Sequence, residues 1–207
     1  MGTVLEHIVG DSDITHIVAM DIECTCWDKG DSAYPGPDQH ELIEIGMALI
    51  DLKTLAIVDE VSILVKPEQH PVLTPFCVGL TSITDDMLVD APTFCEAMAI
   101  TQRWLAPLGD KYHWCSWGFF DLKHLQAEAE RKQCELAFPA DRHFNAKFIY
   151  AKTRSGVKKR GLGAAVARQK LTFSGTQHRG VDDARNVARI LLSEHGVTFD
   201  TPQGAGA

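Results

Sequence analysis

A run of apolar residues that ends in two acids is the feature that most limits how this chain can fold. The segment ITHIVAMDIE, residues 14–23, has the apolar and β-branched residues typical of a buried strand. It ends with Asp21 and Glu23, and side chains two residues apart on a strand share a face. Two carboxylates held side by side repel each other unless a positive group lies between them. The segment therefore predicts a buried strand that ends at a cation site.

The composition is that of one globular domain. The chain has 207 residues, of which 45% are hydrophobic and 23% are charged, enough for a single sizeable core. We expect a domain over residues 14–199, an N-terminal extension over 1–13 and a disordered tail over 200–207. No stretch approaches the ~20 apolar residues of a membrane span, and the N-terminal residues lack the order of a secretion signal. These features favour a cytoplasmic protein without a membrane partner. The sequence does not determine the oligomeric state, and it is compatible with a monomer.

The cysteines are expected to be reduced, because nothing in the sequence indicates export. Cys24 and Cys26 are separated by one residue instead of the two of a zinc knuckle, and no second pair matches them. The sequence therefore predicts no structural zinc site. The six expected thiols belong to Cys24, Cys26, Cys77, Cys95, Cys115 and Cys134.

The order of the predicted elements indicates the fold class. Three strand-like segments come first, and the short connection between the second and the third predicts an antiparallel meander. Helical and strand-like segments follow, with one segment, residues 144–153, ambiguous between the two. This order predicts one α/β domain with a mixed sheet. The strand segments are 14–23, 41–51, 56–67 and 111–118, and the longer helices are expected within 93–109, 119–136, 161–171 and 181–196.

Two further acids are expected at the edge of the sheet where Asp21 lies. Asp121 opens a helix after a strand, so it is either a first-turn acid favoured by the helix dipole or a ligand at the carboxyl end of a strand. In the last helix, at about 100° per residue, Asp183 flanks the apolar stripe and Asp182 lies opposite it. We expect Asp183 to face the sheet and Asp182 to be solvated. His178, in the loop before this helix, is either an ordinary surface residue or a functional residue beside Asp183.

Four inward carboxylates from three segments cannot all be ionised and unpaired in one cleft. Mg²⁺ and Mn²⁺ prefer carboxylate oxygens and keep several waters. Two such ions ~3.5–4 Å apart stabilise the attacking and leaving oxygens in phosphoryl transfer. The sequence therefore predicts a site for two Mg²⁺ or Mn²⁺ ions, held by Asp21, Glu23, Asp121 and Asp183.

One basic segment contrasts with the formal net charge of −8. Residues 147–160, KFIYAKTRSGVKKR, contain no acid. The segment is either a solvated basic loop or a surface that tracks the phosphates of a nucleic acid. Its basic residues are Lys147, Lys152, Arg154, Lys158, Lys159 and Arg160.

The motifs resemble those of the DEDD exonuclease superfamily in its histidine branch (DEDDh), which includes RNase T and the proofreading subunits of replicative polymerases. The resemblance is closest to the ERI-type 3′–5′ exoribonucleases. DIECTCW is similar to their D-F-E-A-T-C start, and HRGVDDARNVARI to their H-x-G-L-D-D-S/A-x-N-I-A-R-I segment. The stretches VKPEQHPVLTPFCVGLTSITDDML and WCSWGFFDLKHL also match in order, so that the resemblance covers roughly residues 14–195.

This resemblance implies an RNase H-like exonuclease fold, with a central mixed five-stranded sheet flanked by helices. It also implies the hydrolysis of single-stranded RNA, or short 3′ overhangs, to nucleoside 5′-monophosphates. It implies that Asp21, Glu23 and Asp183 bind the first metal ion. Asp21 would also bridge to the second ion, with Asp121 assisting through water. His178 would be the general base that takes a proton from the attacking water.

The resemblance also implies where the terminal nucleotide binds. It would lie along residues 23–25, with the LTSIT segment beside it. Trp117 and Phe120 either stack on a base, which is sequence-tolerant, or pack in the core. The expected substrate-binding residues are Glu23, Cys24, Thr25, Leu80, Thr84, Trp117, Phe120 and His178.

Three other functions are alternatives to this one. A catalytically silent module that only binds RNA ends would lack one of the five DEDDh residues, and all five are present. A DNA trimming or proofreading enzyme would have the same active site, so the sequence leaves this alternative open. A dinucleotide site is suggested by GLGAAVA, residues 161–167, but Val166 occupies the third glycine position and the preceding VKKR is no buried strand. We reject that last hypothesis.

Overall fold

Five strands form one mixed sheet in the computed structural model, which describes residues 2–10, 13–153 and 160–199. The strands lie in the order β3-β2-β1-β4-β5. The first three form the predicted antiparallel meander, while β4 is parallel to β1 and β5 is parallel to β4. The bounds are β1 His16–Cys24, β2 Leu42–Asp51, β3 Ala56–Leu64, β4 Tyr112–Ser116 and β5 His143–Asn145. The predicted mixed five-stranded sheet is confirmed.

The central strand β1 is buried on both faces because helices cover both sides of the sheet. Val18 and Met20 point into one apolar cluster, whereas Ile17 and Ala19 point into the other. This explains why the strand reads as a continuous apolar run and not as an alternating pattern.

Eight α-helices are found in the described residues. α4 and α5 pack on the Val18 face, and α1, α6, α7 and α8 pack on the Ile17 face. α2 and α3 cover a smaller cluster around Ile43. The bounds are α1 Val4–Val9, α2 Pro75–Thr81, α3 Asp85–Leu88, α4 Phe94–Leu105, α5 Phe120–Lys132, α6 Ala146–Lys152, α7 Leu162–Arg168 and α8 Gly180–Ser193. No helix among these combines the length and the hydropathy needed to cross a bilayer.

Two segments differ from the simple sequence expectation. The N-terminal extension contains α1, for which no helix was predicted. Thr3 and Glu6 form a capping box there, and the Val4 N–H donates to Glu194 at 2.7 Å. The ambiguous segment 144–153 contains both element types, because β5 ends at Asn145 and α6 follows at once. The tail predicted to be disordered, 200–207, lies outside the described residues.

The expectation of six reduced cysteines is wrong for one pair. Cys95, in the first turn of α4, forms a disulfide with Cys134, just beyond the end of α5. The packing of these helices brings the two Cα atoms to 5.6 Å, although 39 positions separate them in sequence. That spacing gives no signal of pairing. The remaining cysteines are free, as expected: Cys24, Cys26, Cys77 and Cys115.

Candidate active site

The four predicted carboxylates meet where β1 and β4 end and α8 begins. Asp21 and Glu23 lie on the last residues of β1, Asp121 is the second residue of α5, and Asp183 lies in the first turn of α8. Asp21 interacts electrostatically with the other three. The Ile22 N–H donates to Oδ1 of Asp121 at 3.3 Å, which ties α5 to the central strand. The structure thus brings together acids from three distant segments.

Burial raises the pKa of each of these carboxyl groups, and neighbouring acids raise the pKa of Asp21, Glu23 and Asp183 further. Burial raises the pKa of Asp21 well above its ordinary value, and the neighbouring Asp121, Asp183 and Glu23 raise it further. Burial, followed by Asp183 and other acids, raises the pKa of Glu23 to about 8. Burial also raises the pKa of Asp183 to about 6, and that of Asp121. At neutral pH the carboxyl groups of such a cluster stay partly protonated unless a bound cation replaces the protons.

Asp183 has a buried oxygen that a cation would satisfy. Its Oδ2 accepts a hydrogen bond from the His178 N–H at 3.3 Å, but its Oδ1 has no hydrogen-bond partner within the described part of the chain. One ligand atom each from Glu23, His178 and Asp183 lies within 4.8 Å of the others. Buried polar atoms nearly always have a partner, and carboxylate oxygens suit hard divalent cations. The residues therefore fit Mg²⁺ or Mn²⁺.

The loop that carries His178 is held by side chains of α8. The Thr176 N–H donates to Asp182 at 2.8 Å, and the Ser174 N–H donates to Oδ1 of Asn186 at 3.0 Å. His178 itself has a left-handed backbone, with φ of 63°, and its side chain is exposed. Asp183 faces the sheet as expected, with an exposed fraction of 9%. The expectation that Asp182 is solvated is wrong, because the loop folds over it.

A pocket of about 390 Å³ lies beside Glu23. Four of its lining residues belong to the predicted substrate-binding set: Glu23, Cys24, Leu80 and Phe120. Phe120 is 60% exposed, and its ring stacks on the ring of His124. An exposed aromatic ring beside a carboxylate cluster offers a flat apolar surface to a planar ligand.

The four other predicted residues lie outside this pocket lining: His178 beside the carboxylates, and Thr25, Thr84 and Trp117. Thr25 is 2% exposed. Its backbone N–H donates to the Glu41 carbonyl oxygen, and the Glu41 N–H donates to the Thr25 hydroxyl oxygen. Thr84 is exposed and precedes α3. The Trp117 ring packs on Tyr150 with centroids 5.5 Å apart. Trp117 thus belongs to the apolar cluster on the Ile17 face of the sheet.

The sequence interpretation missed the residues that the loop after β1 contributes to the pocket. Tyr34 and His40 line it, and their rings lie 5.7 Å apart. The Trp27 ring packs edge-on against both rings and against His70, with centroids 5.0 to 6.2 Å away. The only signal in the sequence is the presence of three rings in an otherwise polar, turn-rich segment.

The basic segment is only partly described. Lys147 is half-buried on α6, and Lys152, the last residue of this helix, is exposed. Arg160 is exposed as well, and its carbonyl accepts a hydrogen bond from Nε1 of Trp117 at 2.9 Å. The remaining basic residues, Arg154, Lys158 and Lys159, lie outside the described residues. The phosphate-tracking surface therefore stays a prediction.

Comparison with known proteins gives one matching family model. The RNase_T model, described as Exonuclease, matches residues 18–191. The 3′-5′ exoribonuclease 1 of Mus musculus is 31% identical over 203 residues, which cover 90% of this chain and 55% of the mouse protein. The chain thus spans about half the length of the curated relatives that it matches.

Two solved structures are similar over most of the chain. The nuclease domain of 3′hExo, a DEDDh family member bound to rAMP, has a TM-score of 0.80 at 28% identity, covering 90% of this chain and 94% of that one. A 3′-exonuclease that recognises the 3′ end of the histone mRNA stem-loop has a TM-score of 0.79 at 27% identity, with 90% and 84% covered. The RNase H-like arrangement of this chain is the fold of both.

Proposed function

This chain belongs to the exonuclease family that the RNase_T model describes, and from that premise we propose that it is a metal-dependent 3′–5′ exonuclease. We take its substrate to be single-stranded RNA or a short 3′ overhang, and its product to be nucleoside 5′-monophosphates. The observation that carries the proposal is the cluster of four buried carboxylates, in which Oδ1 of Asp183 has no hydrogen-bond partner among the residues that the structure describes.

The carboxylates would hold two Mg²⁺ or Mn²⁺ ions. Asp21, Glu23 and Asp183 would hold the first ion, and Asp21 and Asp121 the second. When bound, such ions supply an activated water and charge stabilisation for the leaving 3′ oxygen. Burial of the ligands supports this assignment, because a carboxylate shielded from water binds a cation more strongly than one in water.

His178 would take the proton from the attacking water. Its exposed side chain has a ring nitrogen close to Glu23 and Asp183, so it can reach a water at the cluster and then pass the proton to solvent. Its main chain, fixed by the hydrogen bond to Asp183, holds the ring at the rim of the site. A histidine placed in this way contributes typically ~10²–10⁴-fold to the rate.

The pocket beside Glu23 would hold the terminal nucleotide. Phe120 and Tyr34 offer aromatic surfaces to the base, and Leu80 adds an apolar contact. Aromatic stacking tolerates every base, which suits an enzyme that removes successive nucleotides. RNA is the preferred substrate because the similar structures include one bound to rAMP and one that recognises a histone mRNA stem-loop.

The proposal is tested by digesting a single-stranded RNA of about 20 nucleotides, labelled at its 5′ or its 3′ end. With Mg²⁺, the 5′-labelled RNA should give a ladder that shortens from the 3′ end, and the 3′-labelled RNA should release a labelled mononucleotide at once. EDTA should stop both reactions. A labelled mononucleotide released first from the 5′ end, or full activity in EDTA, would contradict the proposal.

A matched DNA oligonucleotide tests the alternative of a DNA-trimming enzyme. The same site can hydrolyse either polymer, and the 2′-hydroxyl is the group that separates them. Faster loss of DNA than of RNA at equal concentration would favour the alternative. Asp183→Asn protein, purified in parallel, controls for contaminating nucleases, since it keeps the shape of the side chain but loses its charge.

A further inference from the structure

A fifth carboxylate lies beside the four of the proposed site. Glu44 on β2 is paired in register with Glu23 on β1, and its exposed fraction is 0%. Glu44 is close enough to raise the pKa of Asp21, Glu23 and Asp183. A further buried anion in such a cluster costs free energy unless a cation and hydrogen bonds compensate it.

Arg179 supplies that cation. Its Nε lies 3.0 Å from Oε2 of Glu44 and its Nη2 lies 3.2 Å from Oε1, so that the guanidinium grips both carboxylate oxygens. Oε2 also accepts the Gly180 N–H at 2.9 Å, and Oε1 accepts the Ser62 hydroxyl at 2.6 Å. Glu44 is thus fully engaged by groups other than a metal ion, although it lies next to the proposed ligands.

The same contacts fix the start of α8. Arg179 directly follows His178 and precedes Gly180, the first residue of the helix. Gly180 lies backbone to backbone on β2, so closely that a Cβ at Gly46 would overlap its carbonyl group, and a Cβ at Gly180 would come within 3.2 Å of the Asp21 carbonyl oxygen. The side chains next to this contact, His178 and Asp183, belong to the proposed site. Any shift of the helix start would move both of them relative to β1.

We propose that Arg179 and Glu44 are positioning residues for the exonuclease reaction. Their ion pair holds the start of α8 against β1 and β2, and it keeps the Glu44 carboxylate out of the metal-ligand set. The inference rests on the function proposed above, and it assigns to Arg179 a role toward Glu44 instead of a role toward the substrate phosphates.

The test compares Arg179→Met, Arg179→Lys, Glu44→Gln and the double variant Glu44→Gln/Arg179→Met with the unchanged protein. The control is Arg142→Met, which removes an arginine paired with Asp110 at the opposite edge of the sheet. Three quantities are measured: hydrogen exchange of residues 174–183 in metal-free protein, Mn²⁺ affinity by calorimetry, and kcat and KM on a single-stranded RNA with Mg²⁺.

Arg179→Met should speed hydrogen exchange in this segment by about tenfold or more. It should lower the Mn²⁺ affinity and kcat each by about 10- to 100-fold, as the loss of other supporting contacts at metal sites does. KM should stay within about threefold, because Arg179 contacts Glu44 and not the substrate. Arg179→Lys should recover most of the activity. The double variant should be more active than Arg179→Met, because it no longer leaves a buried charge unpaired. Arg142→Met should match the unchanged protein.

Unchanged exchange and kcat in Arg179→Met would overturn the proposal. A rise in the KM of Arg179→Met at unchanged kcat would also overturn it, since it would make Arg179 a ligand of the substrate phosphates. A double variant whose loss of kcat equals the product of the two single losses would overturn it as well. A protein that degrades no nucleic acid, yet shows the expected exchange and Mn²⁺ changes, would refute the proposed nuclease function while supporting the positioning role.

Discussion

The main-chain N–H of His178 donates a hydrogen bond to the side chain of Asp183 at 3.3 Å. The expected general base and one expected metal ligand are therefore joined through the backbone and not through the imidazole ring. The exposed ring of His178 can therefore exchange protons with water, while the hydrogen bond from the backbone holds the Asp183 carboxylate in place. This division allows the two roles to be separated by mutation.

Replacing His178 with alanine keeps that backbone hydrogen bond. We expect turnover to fall by ~10²–10⁴-fold, the usual contribution of a general base, whereas Mn²⁺ affinity should change by less than about threefold. Single-turnover kinetics and calorimetry measure the two effects, with Gln177→Ala, an exposed neighbour, as the control. A collapse of Mn²⁺ affinity would instead identify His178 as a ligand.

Asp183→Asn removes one ligand charge without changing the size of the side chain. Turnover should fall by at least about 100-fold, because removing a direct ligand should cost no less than removing an outer contact. Asp182→Asn is the matched control on the same helix: Asp182 holds the loop through Thr176, so a loss below about tenfold is expected. Equal losses of turnover in Asp183→Asn and Asp182→Asn would mean that Asp183 only holds the loop in place and is not a metal ligand.

The stability of the metal-free protein should fall as the pH rises from 5 to 8. Folding raises the pKa of Glu23 from 4.5 to about 8 and that of Asp183 from 3.8 to about 6. The folded state therefore binds more protons than the unfolded chain in this window, and the free energy of unfolding decreases with pH. In EDTA, Tm should drop by at least about 3 °C, which corresponds to about 1 kcal/mol in a domain of this size.

Saturating Mn²⁺ should remove most of this pH dependence, because bound cations compensate the ionised carboxylates. Glu23→Gln should also flatten the metal-free profile, since it removes a carboxyl group whose pKa burial raises to about 8. A metal-free Tm that rises from pH 5 to pH 8 would contradict the raised pKa values of Glu23 and Asp183.

Phe120→Ala should weaken binding of the nucleotide more than it weakens the fold. Loss of one aromatic stacking contact costs ~1–3 kcal/mol, so KM, or the Kd for a nucleoside 5′-monophosphate, should rise about 5- to 150-fold. Trp117→Phe is the comparison: it removes the hydrogen bond to Arg160 but keeps a ring against Tyr150. That variant should lower Tm and leave KM unchanged. If Phe120→Ala lowered only Tm while Trp117→Phe raised KM, Trp117 and not Phe120 would be the residue that stacks on the base.

The sequence predicted those parts of the site that depend on regular periodicity. The strand pattern placed Asp21 and Glu23 on one face, and the helical angle separated Asp183 from Asp182. Periodicity gives no information about a loop, so the packing of residues 174–176 over Asp182 was missed. Tyr34 was missed for the same reason, because only the fold brings its loop back over β1.

Long-range pairing was also beyond reach from one sequence. Glu44 looks like one more acid in a strand, and nothing nearby shows that an arginine 135 positions later compensates it. The sequence around Cys95 and Cys134 likewise gives no indication that these two residues pair. The helix α1 was missed because its six residues are too few for a periodic signal.

Two neighbouring glycines, Gly46 and Gly180, make the interval between α8 and the sheet as narrow as a peptide chain permits. A single methyl group added at position 46 would overlap the backbone of Gly180 and Val181, so the start of α8 would have to move away from β2 and would carry Asp183 away from Asp21 and Glu23. The spacing of the proposed ligands therefore depends on the absence of a side chain at position 46, although Gly46 is not one of those ligands.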